Sequence, residues 1–124
     1  MEIDWEILKA HFLEADSATQ LNSLAMNLTR IQLFTSSNVG EPTVKHLIRE
    51  SQFFIEWIVT DLNLEVHLNQ AVELTDLQRL LSRWKLSNWW GDEQTRQDVA
   101  KQAGEWCYLI RQQSRTLRQR PLSV

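Results

Sequence analysis

The sequence predicts an all-α protein, a single-domain antiparallel helical bundle of about four to five helices. Only three glycines and two prolines occur in 124 residues, fewer than the tight turns of a β-sandwich or barrel require. Apolar residues recur at intervals of three and four over most of the chain, which is the spacing of amphipathic helices. Short polar breaks separate these periodic segments, as in antiparallel bundles.

The length and composition fit one globular domain. Hydrophobic residues make up 43% of the chain and charged residues 23%, proportions that are ordinary for a folded protein and argue against global disorder. A chain of 124 residues can bury a core without metals or disulfides. We therefore expect one helical-bundle domain over residues 1–120 and a frayed tail at 121–124.

The first two predicted helices have clear apolar stripes. Residues 4–14 place Trp5, Leu8 and Phe12 on one face of a helix. A second helix is predicted to begin at Ser17, which forms a capping-box pattern with Gln20. Its stripe consists of Leu21, Leu24, Ala25, Leu28 and Ile31. A loop over 36–42 is then predicted from the turn signal around Gly40 and Pro42.

A third helix is predicted from a cap at Thr43 to about Leu62. Its apolar face consists of Val44, Leu47, Ile48, Phe54, Ile55, Ile58, Val59 and Leu62. Residues 62–68 then alternate between apolar and polar side chains, which is a strand pattern. No second segment offers this strand a partner, so we predict a connector or a short helix there.

The last two predicted helices flank a pair of tryptophans. Thr75 and Gln78 form a second capping-box pattern, which predicts a helix that starts at this point. Its stripe consists of Leu77, Leu80, Leu81 and Trp84. A break over 88–92 ends this helix, and Asp92 is predicted to cap a last helix that runs to about Leu117.

The residue patterns give no indication of an enzyme, a cofactor or a metal site. Three isolated glycines cannot form a phosphate-binding loop, and the three histidines lack the spacing of paired metal ligands. Cys107 has no histidine near it in sequence to complete a nucleophile–base pair. A buried, inert thiol is expected there, and activation by Arg111, one turn along, is the alternative. We expect no catalytic, cofactor-binding or metal-binding residues.

Membrane and secretory signals are also missing from the sequence pattern. Residues 1–4 show neither a basic region nor a long apolar run. The most apolar stretch, 53–59, is far shorter than the roughly 20 residues that span a bilayer. Cys107 is the only cysteine, so no internal disulfide can form. We expect a cytoplasmic protein without membrane contact.

The six tryptophans provide candidates for a contact surface. On the third predicted helix, Trp57 and Phe53 fall on a second stripe away from the main apolar face. Two interpretations are open. Either a neighbouring helix covers this stripe, or the stripe is exposed as an interface to a protein partner or to a second copy in a homodimer. Trp89 and Trp90 are adjacent and cannot both easily face inward, so one of them is a candidate contact residue.

The charges are distributed unevenly. Residues 1–76 carry 12 acidic and four basic side chains, a net charge of −8, and residues 77–124 carry four acidic and nine basic ones, a net charge of +5. On the last predicted helix, Tyr108, Arg111, Arg115 and Arg118 share one face. Three interpretations are open: arginines that are solvated or paired with the acidic half, an acidic protein partner, or nucleic acid.

Together these patterns predict a small intracellular interaction or regulatory protein, adaptor-like and non-catalytic. The alternative is a nucleic-acid-associated helical subunit that uses the arginine face, although four arginines reach only a few phosphates and the isoelectric point is about 5.6. The candidate partner-binding residues are Phe53, Trp57, Trp89, Trp90, Tyr108, Arg111, Arg115 and Arg118. A small ligand between helices is a further open question.

Overall fold

A computed structural model of the protein describes residues 4–118, without the side chain of Arg118. The helices in this range are α1 (Trp5–Glu14), α2 (Ser17–Ser36), α3 (Glu41–Asp61), α4 (Leu64–Leu86) and α5 (Glu93–Arg118). No strand occurs between residues 4 and 118, so the predicted all-α bundle is confirmed. The predicted tail at 121–124 lies outside the described residues.

The central helix of the bundle is α2. It packs along α5 on one side and along α3 on the other, and α3 in turn packs against α4. Ser114 Oγ, late in α5, donates a 2.9 Å hydrogen bond to the carbonyl of Ala18 at the start of α2. Cys107 Sγ, one to two turns earlier in α5, lies 3.1 Å from Thr29 Oγ1 in the middle of α2. The two helices are therefore antiparallel.

Small side chains allow α2 and α5 to approach closely. Ala25 of α2 and Ala103 of α5 are both buried. Gly104 lies directly against Gln32, because a Cβ atom added to this glycine would stand 2.6 Å from Gln32 Nε2. The side-chain amide of Gln32 therefore occupies the space that a Cβ atom at position 104 would need.

Aliphatic side chains from α2, α3, α4 and α5 fill the core. The largest fully buried apolar ones are Leu21, Leu24, Leu28, Ile31, Val44, Ile48, Leu74, Leu77, Leu81 and Ile110. Most of these residues belong to the stripes predicted from helical spacing. Shortening any of the buried leucines or isoleucines to alanine costs about 2–5 kcal/mol in packed cores.

Helix α2 begins at Ser17 as predicted, whereas the cap of α3 lies three residues before the predicted Thr43. The capping residues differ from the predicted ones at both helices. The cap of α2 is Asp16, whose carboxylate accepts a 2.8 Å hydrogen bond from the Thr19 amide. Gln20 does not complete a capping box; its side-chain amide donates to the carbonyl of Phe12 at 3.1 Å and so ties α1 to α2. The cap of α3 is Gly40, with a left-handed φ of 77°, a conformation that glycine adopts without steric cost.

The predicted start of a helix at Thr75 is wrong. Helix α4 begins eleven residues earlier, at Leu64, and Thr75 Oγ1 donates a 2.8 Å hydrogen bond to the carbonyl of Ala71 inside the helix. Ala71 and Leu74 are buried, so the apolar stripe continues one turn upstream of Thr75 and keeps the helix packed. The backbone departs from helical geometry at His67, where φ is −118° and ψ is 33°.

The alternating segment forms the first turns of α4, which agrees with the predicted short helix more closely than with a strand. Its side chains Leu64, Val66 and Leu68 are all exposed. Val66 lines an open groove of about 560 Å³ between α4 and α5, together with Leu109 and Leu117 of α5. Of the three exposed side chains, Val66 alone lines the groove, and the segment from Leu64 onward is helical and not a pairing strand.

Candidate interaction surface

The aromatic stripe of α3 is covered by α1. The ring of Trp5 lies 4.5 Å from that of Phe53, and the ring of Phe12 lies 5.5 Å from that of Trp57. Phe12 also stacks on Phe54 with ring centres 4.3 Å apart. Aromatic pairs at these separations add stability beyond the buried area. Helix α1 is therefore held to the bundle largely by ring contacts.

The interpretation of the second stripe of α3 as an exposed aromatic strip is consequently wrong for Trp57. Trp57 is only 8% exposed, and Phe53 is partly buried beneath Trp5. The alternative expectation, that a neighbouring helix covers the second stripe, is the one that the structure bears out for Trp57. Trp57 is therefore not available as a free anchor for a partner, whereas Phe53 is covered only in part by Trp5.

The two adjacent tryptophans at the α4–α5 junction divide as expected, with one of them inward. Trp89 is buried, and its indole Nε1 donates a 2.8 Å hydrogen bond to the carbonyl of Trp84. Trp90 is half-buried, and its carbonyl accepts a hydrogen bond from Arg96 Nη1 at 2.6 Å. Trp90 is thus the more accessible of the pair, while Trp89 closes the end of the core.

The predicted face of α5 is on the surface. Tyr108 is 63% exposed, and Arg111 and Arg115 are exposed as well. Arg118 continues the same helical face, but its side chain lies outside the described residues. Cys107, next to Tyr108, points the other way: it is buried, and its Sγ lies 3.4 Å from the carbonyl of Ala25.

Arg111 and Arg115 are not neutralised by the acidic side chains of the described residues. Between described residues, ion pairs form at Lys45–Glu41 and Arg79–Asp76, and His46 Nε2 lies 3.5 Å from Glu50. Each of these contacts lies within a single helix. No carboxylate of residues 4–117 lies within 4.0 Å of Arg111 or Arg115. The expected pairing between the two halves is therefore wrong for these two arginines, and their charges face solvent.

Two exposed apolar side chains of α2 follow residues that contact α5, Met26 at the level of Cys107 and Leu33 at the level of Gly104. Met26 follows Ala25, which contacts Cys107, and is 50% exposed. Leu33 follows Gln32, which lies against Gly104, and is 58% exposed. The antiparallel α2–α5 pair thus presents apolar, aromatic and basic side chains. We call Met26, Leu33, Tyr108, Arg111 and Arg115 the α2–α5 face.

Metal-binding clusters and membrane-spanning helices were also considered within the described part of the chain. No group of three or more His, Cys, Asp or Glu side chains between residues 4 and 118 is arranged to hold a metal ion. None of the five helices is long and apolar enough to cross a membrane over the described residues.

One cluster of charged side chains was missed by the sequence reasoning. Lys45, His46 and Arg49 of α3 and Lys85 of α4 together line a cavity of about 330 Å³. The spacing of Lys45, His46 and Arg49 on one helix is visible in the sequence, but it does not by itself predict a cavity. Lys85 joins them only because α3 and α4 are neighbours.

Comparisons with known proteins give no further guidance to function. No protein-family model matches the chain, and no curated protein or solved structure is significantly similar to it.

Proposed function

We propose that this chain is a small intracellular interaction protein, adaptor-like and non-catalytic, which binds an acidic protein segment through the α2–α5 face. The observation that supports this proposal is the exposure of Arg111 and Arg115 without a carboxylate partner within the described residues. Exposed charged groups without an intramolecular partner favour the encounter with a molecule of opposite charge and orient that molecule.

The neighbouring side chains support a protein partner. Tyr108 offers a rigid, amphipathic ring of the kind that is common at interface hot spots. Met26 has a flexible, polarisable side chain that adapts to different partner shapes. An acidic segment with apolar residues between its carboxylates would contact both kinds of group, whereas a nucleic-acid backbone would use only the cations and the aromatic ring.

Fluorescence polarisation with three labelled probes tests the proposal: a glutamate-rich peptide with interspersed leucines, a lysine-rich peptide of equal length, and single-stranded DNA. We expect the acidic peptide to bind at about 50 mM salt and to bind several-fold more weakly at about 200 mM. The lysine-rich peptide should not bind. Binding of DNA in preference to the acidic peptide would support the nucleic-acid alternative instead.

Matched variants locate the binding surface. The double variant Arg111→Gln/Arg115→Gln should lose most of the affinity for the acidic peptide. The control Arg79→Gln/Arg83→Gln removes the same amount of charge from α4, and this variant should keep its affinity for the acidic peptide. Equal losses in both variants would mean that net charge, not the α2–α5 face, controls binding. Light scattering on the wild-type chain tests the second candidate partner, another copy of the chain.

A further inference from the structure

We propose that the basic cavity between α3 and α4 binds the phosphate group of a small phosphorylated ligand. The cavity has a volume of about 330 Å³, and all four side chains that line it are basic: Lys45, His46, Arg49 and Lys85. We call this cluster the α3–α4 basic cavity. The α2–α5 face does not include any of these residues, so this inference goes beyond the proposed function and does not depend on it.

The pairing of α3 with α4 creates the cavity. Gln52 Nε2 of α3 donates to Ser82 Oγ of α4 at 3.0 Å, and Gln78 Nε2 of α4 donates to the Gln52 carbonyl at 3.1 Å. Continuing this antiparallel alignment by one turn brings Lys85 of α4 beside Arg49 of α3. Two side-chain amides therefore fix the separation of the two walls.

Arg49 is held in place by aromatic rings. Its guanidinium carbon lies 5.2 Å from the ring centre of Trp5 and 5.8 Å from that of Phe53. Such cation–π contacts stabilise a guanidinium without neutralising its charge. Trp5 of α1 thus helps to position Arg49. No carboxylate among residues 4–117 lies within 4.0 Å of the Arg49 guanidinium.

The remaining charges around the cavity leave it positive. Lys85, like Arg49, has no carboxylate partner within the described chain. Lys45 lies 3.4 Å from Glu41 in an exposed pair, which contributes little in water. His46 Nε2 lies 3.5 Å from Glu50, whose other carboxylate oxygen accepts a 3.1 Å hydrogen bond from Asn27 Nδ2 of α2. The cations Lys45, Arg49 and Lys85 thus outnumber the neighbouring carboxylates of Glu41 and Glu50.

The number of cations favours a phosphate over a carboxylate. One arginine fork suffices for a carboxylate, which carries a single charge on two oxygens. A phosphate monoester carries between one and two negative charges on three terminal oxygens near neutral pH. It can therefore contact Lys45, Arg49 and Lys85 at the same time, as arginine and lysine commonly do in phosphate sites.

An adjoining cavity provides space for the rest of the ligand. It also has a volume of about 330 Å³ and shares Arg49 and Lys85 with the first. Its other lining residues are Gln52, Phe53, Glu56 and Gln78. The Phe53 ring and the two amides suit an uncharged aromatic or polar body, and the Glu56 carboxylate would repel a second anionic group. The arrangement thus favours a phosphate monoester over a polyphosphate.

NMR titration of the ¹⁵N-labelled full chain tests this assignment. The probes are phenyl phosphate, inorganic phosphate and benzyl alcohol, which lacks the anionic group. We expect saturable shifts of the backbone amides of Lys45, Arg49 and Lys85 with both phosphates. Phenyl phosphate should bind more tightly because its ring reaches the adjoining cavity, and benzyl alcohol should leave these amides unchanged.

Variants separate the cavity from a general effect of positive charge. Lys85→Gln should weaken phenyl phosphate binding about tenfold, the effect of losing one charge-assisted hydrogen bond. Arg49→Lys keeps the charge but loses the fork, and should also bind more weakly. Arg111→Gln removes one cation from the α2–α5 face and should retain full affinity. Circular dichroism of each variant verifies that the helices are intact.

Three outcomes would overturn the inference. One is the absence of saturable shifts at millimolar phenyl phosphate, and another is an equal loss of affinity in Lys85→Gln and Arg111→Gln. The third is binding to vesicles that contain phosphatidic acid without binding to phenyl phosphate, which would assign the cavity to a lipid headgroup. None of these results bears on the acidic-peptide experiment, so the two proposals can fail separately.

Discussion

The indole Nε1 of Trp89 donates a 2.8 Å hydrogen bond to the main-chain carbonyl of Trp84, across the end of α4. Trp84 lies in the last turn of α4, where carbonyl groups have no partner within the helix. A side chain from the following loop thus satisfies one of these carbonyls and at the same time covers the end of the core. The relationship explains why one of two adjacent tryptophans is buried.

This contact predicts different consequences for the two tryptophans. Trp89→Phe should lower the free energy of unfolding by about 1–2 kcal/mol, because the hydrogen bond and part of the buried ring are lost. Trp90→Phe should lower it by less than about 1 kcal/mol, since the half-buried ring of Trp90 donates no such bond. Urea denaturation followed by circular dichroism measures both values. A larger effect at Trp90 would contradict the assignment.

The burial of Trp57 under α1 predicts a structural role for this side chain. Trp57→Ala should lower the free energy of unfolding by about 3–5 kcal/mol, as expected for a large buried aromatic residue. Tyr108→Ala, at an exposed aromatic position, should change it by no more than about 0.5 kcal/mol. Urea denaturation of both variants tests the difference. A Trp57→Ala variant that keeps its stability but loses self-association would restore the interface hypothesis for α3.

The actual cap at Asp92 and the wrongly predicted cap at Thr75 predict opposite effects of alanine substitution on stability. Asp92 accepts a 3.3 Å hydrogen bond from the Thr95 amide at the start of α5, so Asp92→Ala should cost about 1 kcal/mol. Thr75 lies inside α4, where alanine has the higher helix propensity. Thr75→Ala should therefore be neutral or stabilising by up to about 0.5 kcal/mol, as measured by thermal and urea unfolding. A decrease of about 1 kcal/mol in the free energy of unfolding of Thr75→Ala would instead support a capping role for Thr75.

The backbone at Gly40 makes a further prediction. With φ at 77°, Gly40→Ala should lower the free energy of unfolding by about 1 kcal/mol or more, because side chains other than glycine are strained in this conformation. Gly91 has no atom within 4 Å of an added Cβ, and Gly91→Ala should have a much smaller effect. Comparable losses in the two variants would show that the left-handed conformation is not what requires glycine at position 40.

The environment of Cys107 predicts a slow thiol. The side chain is buried, and its Sγ contacts Thr29 Oγ1 and the carbonyl of Ala25, an environment without the positive charge that activates cysteines. Labelling with a thiol reagent at neutral pH should therefore be slow in the folded chain and fast in denaturant. Rapid labelling of the folded protein would indicate an accessible thiolate and reopen a reactive role.

Local sequence patterns located most of the fold. The stripes of α2 and α3, and that of α4 after Thr75, follow from spacing alone, and Asp92 is recognisable as a cap because it precedes a periodic segment. The start of α4 was misplaced at Thr75, since threonine and glutamine three residues apart match a capping box inside a helix as well as at its beginning. Leu64 and Val66 gave no helical stripe because they face a groove and solvent.

The location of the candidate surfaces depended on tertiary structure more than the location of the helices did. Spacing placed Tyr108, Arg111 and Arg115 together on α5, and their exposure agrees with that placement. It could not decide whether Trp57 was covered, because the cover is provided by Phe12 from a helix more than 40 residues away in sequence.

The sequence by itself thus determined the helical fold class and the apolar faces of most helices, because both depend on neighbours three or four positions apart. The first turns of α4, which have no buried stripe, are the exception. Only the tertiary structure decided which stripes were covered, which arginines lacked carboxylates, and that Lys85 joins Arg49 beside a cavity. These properties depend on which helices are adjacent, and long-range packing, which determines adjacency, leaves no local pattern in the chain.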